Sequence, residues 1–365
     1  MDRNISTENT YKENTYKGST YEGSTCKEST NAESNGIENI GNEAFHTIAG
    51  LKDMVIDGYS ISRDEALFLA GIPEQQLDEL CSAADEIQRH FFGYDFDMCA
   101  VISVKGGRCS ENCRYCAQSS CAKVPVPAHS MISPDELFSN AMLRNIDGIR
   151  HYCLVSTGRR VSDRDIDYIC DGISRVCHDT GLTVCTSFGL LTEPQLLRLK
   201  AAGVARIHNN LETSRRYFPA LCTSHTYDEK IATIRAARKA GLEVCSGGIF
   251  GVGETMEDRI DMALTLRSLD VQSVPVNMLD PVPGTPFGDT PVLTRNEVRR
   301  IIAIYRFILP KQYIRLAAGR DYLDDSGFSC FHSGSNATIT GDMLTVKGIS
   351  IKEDISTIKN MGYRL

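Results

Sequence analysis

The sequence has no surplus of positive charge. Its 365 residues carry 39 Lys and Arg against 47 Asp and Glu, a formal charge of −8. Proteins that track phosphate backbones concentrate basic residues in a patch, so nucleic acid is not an expected partner. Also missing is any run of about 18 apolar residues, which excludes a membrane-spanning helix from expectation. The opening stretch, MDRNISTENTYKEN, has no apolar core of the kind a secretory signal needs, so a cytoplasmic location is expected. In that reducing compartment the 14 cysteines are better suited to be buried apolar residues, metal ligands or redox groups than disulfides. Aliphatic side chains are nearly absent from the first forty residues. There a degenerate repeat, TYKEN, TYKGS, TYEGS, TCKES, TNAES, runs from Thr10 to Ser34. Such a segment buries too little surface to offset the entropy of ordering, so residues 1–40 are expected to be a disordered low-complexity tail with no chemistry of its own.

The rest is rich enough in apolar residues, 42% over the whole chain, to bury a full-size core. Over 41–95 they recur at spacings of three and four, which predicts an N-terminal helical segment. Short runs of Val, Ile and Cys then alternate with amphipathic stretches. Eight strands are predicted, at 96–104, 151–157, 182–188, 205–212, 242–250, 273–279, 313–319 and 336–342. Eight strand–helix units imply an α/β fold closed as a (β/α)8 TIM-type barrel over 96–345, with 346–365 as a C-terminal extension. In such a barrel the chemistry lies at the C-terminal ends of the strands and in the loops that follow them.

The stretch GGRCSENCRYC, directly after the first strand, places Cys109, Cys113 and Cys116 in that position. What it lacks is a fourth local ligand, which a tetrahedral zinc site requires. Three thiolates can instead hold three corners of a [4Fe–4S] cubane and leave one iron open to an exogenous ligand. A glycine-rich stretch, GGIFGVGET from Gly247 to Thr255, lacks the GK[ST] ending of a phosphate loop, so phosphate binding is not indicated.

Three more cysteines, Cys153, Cys185 and Cys245, fall at the third or fourth residue of predicted strands, and Arg315 holds the same place in its own. Inward side chains of a barrel form layers at matching heights, so these four are candidates to converge inside it, below the first cysteine loop. Single buried cysteines are common, but a barrel-facing arginine needs an anionic partner.

The C-x3-C-x2-C spacing, with Tyr115 ahead of the last cysteine, resembles the radical S-adenosylmethionine (SAM) superfamily, and Gly247 to Glu254 is similar to its fifth-strand motif. From about residue 60 onward the chain further resembles the biotin synthase family, through RCSENCRYCAQSS, YCLVSTGR, HNNLETS, TYDEK, EVCSGGIFGVGET, SVPVNML, PGTP and IRLAAGR. This resemblance implies that Cys109, Cys113 and Cys116 bind a SAM-cleaving [4Fe–4S] cluster. It further implies that Cys153, Cys185, Cys245 and Arg315 bind an auxiliary cluster, [2Fe–2S] in the well-known members or a larger variant, which donates sulfur. The implied reaction converts dethiobiotin to biotin, a sulfurtransferase activity. Its unactivated C–H bonds offer no acidic proton, so a cofactor-borne 5′-deoxyadenosyl radical is required.

By the same resemblance Tyr115, Gly247 and Ile249 lie against SAM, Asn210 and Glu212 bind its ribose, and Asn210 and Asn277 reach the ureido ring. Lys230 stands where an Arg is familiar as the partner of the SAM carboxylate, and lacks that residue's bidentate fork. His208 replaces the first asparagine of a familiar NHN. Cys121, Cys222 and Cys330 are candidates for an extra ligand that would support a larger auxiliary cluster. Expected partners are dethiobiotin, SAM, an electron donor such as flavodoxin or ferredoxin, and a second copy of the chain in a homodimer. The alternatives are a hydrogenase-maturase-like member of the same barrel family acting on another small molecule, and a non-catalytic iron–sulfur carrier or zinc scaffold. The first has no reason to combine Arg315 with the three strand cysteines, and the second needs no barrel.

Overall fold

The computed structural model describes residues 47–146, 149–342 and 348–365. The repeat-bearing tail expected over 1–40 lies outside the described residues. Three helices precede the first strand: α1 (Ile48–Ile56), α2 (Arg63–Ala70) and α3 (Leu77–Phe92). Helix α3 buries Leu77, Leu80, Cys81, Ala84 and Ile87, the three-and-four spacing that gives a helix one apolar stripe. It stops at Gly93, whose φ of +59° few side chains tolerate.

The strands are β1 (Asp97–Lys105), β2 (His151–Ser156), β3 (Thr183–Ser187), β4 (Arg206–His208), β5 (Glu243–Cys245), β6 (Gly248–Phe250), β7 (Ser273–Met278), β8 (Tyr313–Leu316) and β9 (Ala337–Thr340). Helices alternate with them: α4 (Pro134–Ile146), α5 (Asp163–Asp179), α6 (Glu193–Ala201), α7 (Phe218–Leu221), α8 (Tyr227–Lys239), α9 (Met256–Ser268), α10 (Arg295–Ile308) and α11 (Ile351–Asn360). Every pairing is parallel, in the order β5-β4-β3-β2-β1-β9-β8-β7-β6, and a further pairing of β5 with β7 closes the ring. The result is the expected (β/α)8 barrel, with β5 and β6 together forming its fifth stave. Helices α1 and α10 pack on α3, and α2 packs on α9 and α10, so the N-terminal segment lies against the outer helices.

Helix starts follow a local rule. Ser62, Thr192, Thr226, Thr255 and Thr294 each open a helix with a capping box completed by an acidic or amide side chain three residues on. Strand alternation divides the wall. Tyr152, Leu154, Val184, Val244, Val274 and Ile314 are fully buried in the main core, while Cys99, Cys153 and Cys185 form a separate cluster with Val101, Val155 and Ile339. No helix among the described residues is long and apolar enough to cross a membrane.

Two expected strands depart most from their sequence pattern. The fourth, expected over 205–212, spans only Arg206–His208. The fifth, expected as one run over 242–250, breaks at Ser246 and Gly247. The cause is shared. Glu212 takes a φ of +74°, which leaves the extended region, and it returns only as an isolated bridge to Gly248. At Gly247 an added Cβ would lie 2.0 Å from the Pro275 carbonyl oxygen, so the neighbouring chain approaches closer than any side chain permits. Side chains take over the lost ladder. Asn210 Oδ1 accepts from the Gly247 N–H at 3.0 Å, and Asn277 Nδ2 donates to the Gly248 carbonyl at 3.0 Å.

Candidate active site

The loop after β1 is a closed excursion. Gly106 and His129 exchange backbone hydrogen bonds of 3.2 and 3.1 Å at its neck. Within it the Cys109 N–H donates to the Gln118 carbonyl at 2.7 Å, and the Glu111 N–H points at Cys109 Sγ from 3.4 Å. The Arg114 N–H donates to the Leu221 carbonyl at 2.9 Å, tying the loop to the end of α7. Cys109, Cys113 and Cys116 are all half-buried there.

Behind the loop Glu111 accepts from Ser224 Oγ at 2.8 Å and from His225 Nδ1 at 2.6 Å, with an Arg159 nitrogen at 3.4 Å. Burial alone would raise its carboxyl, but these hydrogen bonds and charges hold it below the usual carboxylate range. Cys222 Sγ lies 3.7 Å from Cys113 Sγ and 3.3 Å from His225 Nδ1. Where the two sulfurs meet, the Cys113 thiol is pushed up, first by its hydrogen bond to Cys222 and then by burial, and the Cys222 thiol is pushed down, first by that hydrogen bond and then by His225 and Ser224 against burial.

A cavity of about 310 Å³ runs from this loop into the barrel. Tyr115 and Cys116 line its mouth, Asn210, Glu212 and Ile249 its middle, and the cysteines of the strands its floor. Glu212 is nearly buried, and its Oε2 has no hydrogen-bond partner. Among the described residues this buried carboxylate oxygen is thus an acceptor open to a donor such as a ligand hydroxyl. Lys230 Nζ stands 3.8 Å from the other Glu212 oxygen, on α8. The amide of Asn277 is engaged on both sides, since its Oδ1 also takes the Ala318 N–H at 3.4 Å, whereas the Asn210 NH2 has no acceptor among the described residues.

On the floor, Cys153 and Cys185 are direct register partners across β2 and β3, and His208 faces Cys245 across β4 and β5. Burial pushes the Cys153 and Cys185 thiols far up. Cys245 behaves oppositely: burial is outweighed by His208, Arg315 and Arg206, which bring it down to about 7. Arg315 donates to the Asp97 carboxylate and to the Thr338 carbonyl at 2.9 Å, and His151 Nδ1 meets the same carboxylate at 2.7 Å. Arg206, also on the cavity wall, is held by Glu243 at 2.7 Å.

The donor chemistry fits iron–sulfur groups at both ends. Among the described residues, Cys113, Cys222 and His225 are the only trio of ligand atoms that all lie within 4.8 Å of one another. Thiolates on one zinc-like ion, at about 2.3 Å each, sit about 3.8 Å apart. The floor thiols are therefore spread too widely for a single ion, while soft sulfur donors around a shared space suit a cluster.

The cavity thus brings together Tyr115, Cys116, Asn210, Glu212, Cys245 and Ile249 with Cys153, Cys185, Asn277 and Arg315. Cys109, Cys113, Lys230 and Gly247 stand behind this lining. The three cysteines considered as extra ligands are elsewhere. Cys121 Sγ approaches the Asn112 carbonyl at 3.4 Å in the first loop, Cys222 adjoins Cys113, and Cys330 is buried near Cys81 under the N-terminal helices. The cavity floor instead holds Cys99 of β1, which the sequence reading passed over. The signal was present: Cys99 is the fourth residue of a predicted strand, the same height used to select Cys185 and Cys245.

Comparison with known proteins accords with this geometry. Residues 103–266 match the Radical SAM superfamily, and residues 275–364 match the Biotin and Thiamin Synthesis associated domain. The chain is 46% identical over 317 residues to the biotin synthase of Akkermansia muciniphila, an alignment covering 87% of this chain and 98% of that protein. To the biotin synthase of Brachyspira hyodysenteriae it is 47% identical over 315 residues, covering 86% and 94%. Biotin synthase 2 of Corynebacterium diphtheriae is 47% identical over 319 residues, covering 87% and 96%. Among solved structures, methylornithine synthase superposes with a TM-score of 0.74 at 21% identity, covering 86% of this chain and 96% of that one. The [FeFe]-hydrogenase maturase HydG of Carboxydothermus hydrogenoformans gives 0.73 at 17%, covering 89% and 80%; both likenesses concern the fold alone. With a cysteine loop at the mouth of a parallel barrel, thiols on its floor and relatives of nearly equal length at 46–47% identity, the chain belongs to the biotin synthase family.

Proposed function

We propose that this chain converts dethiobiotin to biotin by radical sulfur insertion, as a sulfurtransferase that consumes SAM. The observation that carries the reading is the single cavity joining Cys116 at its mouth to Cys153, Cys185 and Cys245 on its floor. A SAM-cleaving site and a sulfur source must face the same substrate, and one continuous cavity satisfies both. When bound, a [4Fe–4S] cluster on Cys109, Cys113 and Cys116 supplies the electron that cleaves SAM, and an auxiliary cluster on the floor, [2Fe–2S] or larger, supplies sulfide.

The protein's own part is position and protection. Ile249 and Tyr115 offer apolar surface for the adenine beside the strand break that Gly247 permits. The spare oxygen of Glu212 accepts from the ribose, and Lys230 behind it pairs with the SAM carboxylate. The free NH2 of Asn210 donates to the ureido carbonyl of dethiobiotin, while Asn277 holds the wall at Gly248. Arg315 stands at the auxiliary cluster beside the three thiols, a role supported by its place on the cavity lining. Enclosure keeps water and oxygen from a reactive carbon radical.

The working unit is the barrel of 96–345 with its helical segment 41–95 and C-terminal extension 346–365, the tail 1–40 being dispensable for chemistry. A flavodoxin or ferredoxin serves as electron donor, the assembly is a homodimer, and the compartment is the cytoplasm. The test is anaerobic reconstitution with iron and sulfide, followed by SAM, reductant and dethiobiotin. Biotin and 5′-deoxyadenosine are the expected products; 5′-deoxyadenosine without biotin from fully reconstituted protein overturns the assignment.

A further inference from the structure

Cys222 and His225 have no part in the proposed reaction, yet they stand against Cys113. Cys222 follows the short helix α7, its N–H bonded to the Phe218 carbonyl at 3.1 Å, and His225 comes three residues later. Both side chains are buried. Phe218 meets the His225 ring in a T-shaped contact, with centroids 5.7 Å apart, which limits how the imidazole can turn. Cys113 arrives from the loop after β1, and its neighbour Asn112 locks the two segments together. Asn112 Oδ1 accepts from the Thr223 and Ser224 N–H groups at 2.9 and 3.0 Å.

The distances are those of a site for one metal ion. Two thiolates on a tetrahedral zinc-like ion sit about 3.8 Å apart, and a thiolate and an imidazole nitrogen about 3.6 Å apart. Cys113 Sγ and Cys222 Sγ are 3.7 Å apart, and Cys222 Sγ lies 3.3 Å from His225 Nδ1. Among the described residues Cys109, Cys113 and Cys116 make no such trio within 4.8 Å. A cluster spreads its thiolates over several irons, whereas a single ion draws its ligands together. Binding an ion here releases the thiol protons and the proton on Nδ1. Glu111, whose Oε2 is 2.6 Å from that nitrogen, keeps its hydrogen bond from Ser224 Oγ at 2.8 Å and leaves a negative charge beside the cation.

We infer that in the cluster-free chain Cys113, Cys222 and His225 hold one divalent transition-metal ion, zinc or ferrous iron, with water in the fourth position. The ion and the first cluster both claim Cys113, so each excludes the other. That exclusion, but not the ion site itself, rests on the reading of Cys113 as a cluster ligand. Assembly of the first cluster then has to displace the ion.

The test titrates cluster-free wild type, Cys222→Ser, His225→Ala and Cys109→Ala anaerobically with cobalt(II) and then with zinc. Wild type is expected to show the intense visible bands of tetrahedral cobalt with sulfur-to-cobalt charge transfer, bleached by zinc. Outer partners of a metal site carry about tenfold to a hundredfold in affinity and a direct ligand carries more, so Cys222→Ser and His225→Ala should weaken zinc binding at least about a hundredfold. Cys109→Ala should keep both signal and affinity. Cobalt taken by the floor thiols is common to all four proteins and cancels in the difference spectra. Circular dichroism melts report the fold of each variant, and if His225→Ala does not fold, the isosteric Cys222→Ser decides. Loss of the signal in Cys109→Ala with its retention in Cys222→Ser puts the ion on the loop cysteines and overturns the inference, as does equal uptake by all four proteins. Wild type preloaded with zinc should also build its first cluster more slowly from iron and sulfide than Cys222→Ser does; equal rates overturn the exclusion. None of these measurements depends on biotin formation, so failure here is distinct from failure of the proposed function.

Discussion

Arg315 and Asp97 form a buried ion pair at the foot of the barrel, with side-chain exposures of 2% and 0%. His151 completes it from the other side of the carboxylate at 2.7 Å. Removing one partner of such a pair leaves an uncompensated charge, at a cost of about 3–5 kcal/mol. Asp97→Ala is accordingly expected to lower the unfolding free energy of the cluster-free protein by at least about 3 kcal/mol, measured by urea denaturation. A loss below about 1 kcal/mol contradicts the pairing.

Glu212 combines strain with an unsatisfied acceptor. A φ of +74° costs a non-glycine residue about 1–2 kcal/mol, which glycine does not incur, while glycine adds chain entropy of similar size. Glu212→Gly should therefore leave stability within about 1 kcal/mol of wild type. SAM affinity of the reconstituted protein, by calorimetric titration, should fall at least about tenfold, equivalent to about 1.4 kcal/mol. Unchanged affinity would place the ribose acceptor elsewhere.

Asn210 has two jobs that substitution can separate. Asn210→Asp keeps the oxygen that takes the Gly247 N–H at 3.0 Å and loses the free NH2. Asn210→Ala loses both. Dethiobiotin KM should rise by roughly tenfold or more in Asn210→Asp with the melting temperature nearly unchanged, and Asn210→Ala should add a loss of about 1–3 kcal/mol in stability. Equal KM in Asn210→Asp and wild type removes the asparagine from substrate binding.

Gly247 tolerates no side chain. With a Cβ placed 2.0 Å from the Pro275 carbonyl oxygen, Gly247→Ala must displace backbone on β7 or close the strand break. A cost of about 3 kcal/mol or more is expected, against little change for Gly71→Ala, where the nearest atoms lie at 3.6 Å. Thermal melts of the two variants side by side check this, and similar melting temperatures would refute it.

Asp258 links pH to stability. Burial opposes its charge, but hydrogen bonds from Ser214 Oγ at 2.6 Å and the Thr255 N–H at 2.9 Å, with Arg216, hold its pKa below the ordinary 3.8. A depressed carboxyl contributes stability that is complete above its unfolded pKa and is lost as pH falls through the folded one. Asp258→Asn should thus cost about 1–3 kcal/mol at pH 7, and the gap to wild type should close below pH 3.8. A gap that persists undiminished at pH 3 argues that the loss is steric.

The barrel was legible because each stave carries its own run of apolar residues, and the cysteine loop because its spacing and its place after β1 agree. The strand break at Ser246 and Gly247 was not, since the sequence shows only glycines there, and the reason for them is the Pro275 backbone of another strand. Arg315 was selected by height, but its partner Asp97 lies on β1 and answers only in three dimensions. Cys99 carries the same positional signal, but the family resemblance that singles out Cys153, Cys185 and Cys245 does not extend to it. Cys222 shows the converse: Asn209 to Leu221 intervene between β4 and a sulfur that returns to within 3.7 Å of Cys113, a proximity no spacing rule records.

The ion pair beneath the thiols also closes the lower end of the barrel with packed side chains. Asp97, Arg315 and His151 fill the lower end, so the floor sulfurs communicate with solvent through the mouth bounded by Tyr115 and Cys116. On the proposed function, iron and sulfide restoring an auxiliary cluster would travel the route that SAM and dethiobiotin use. Restocking and catalysis would then exclude one another in time, and a molecule that had spent its sulfur would have to empty before it could be refilled.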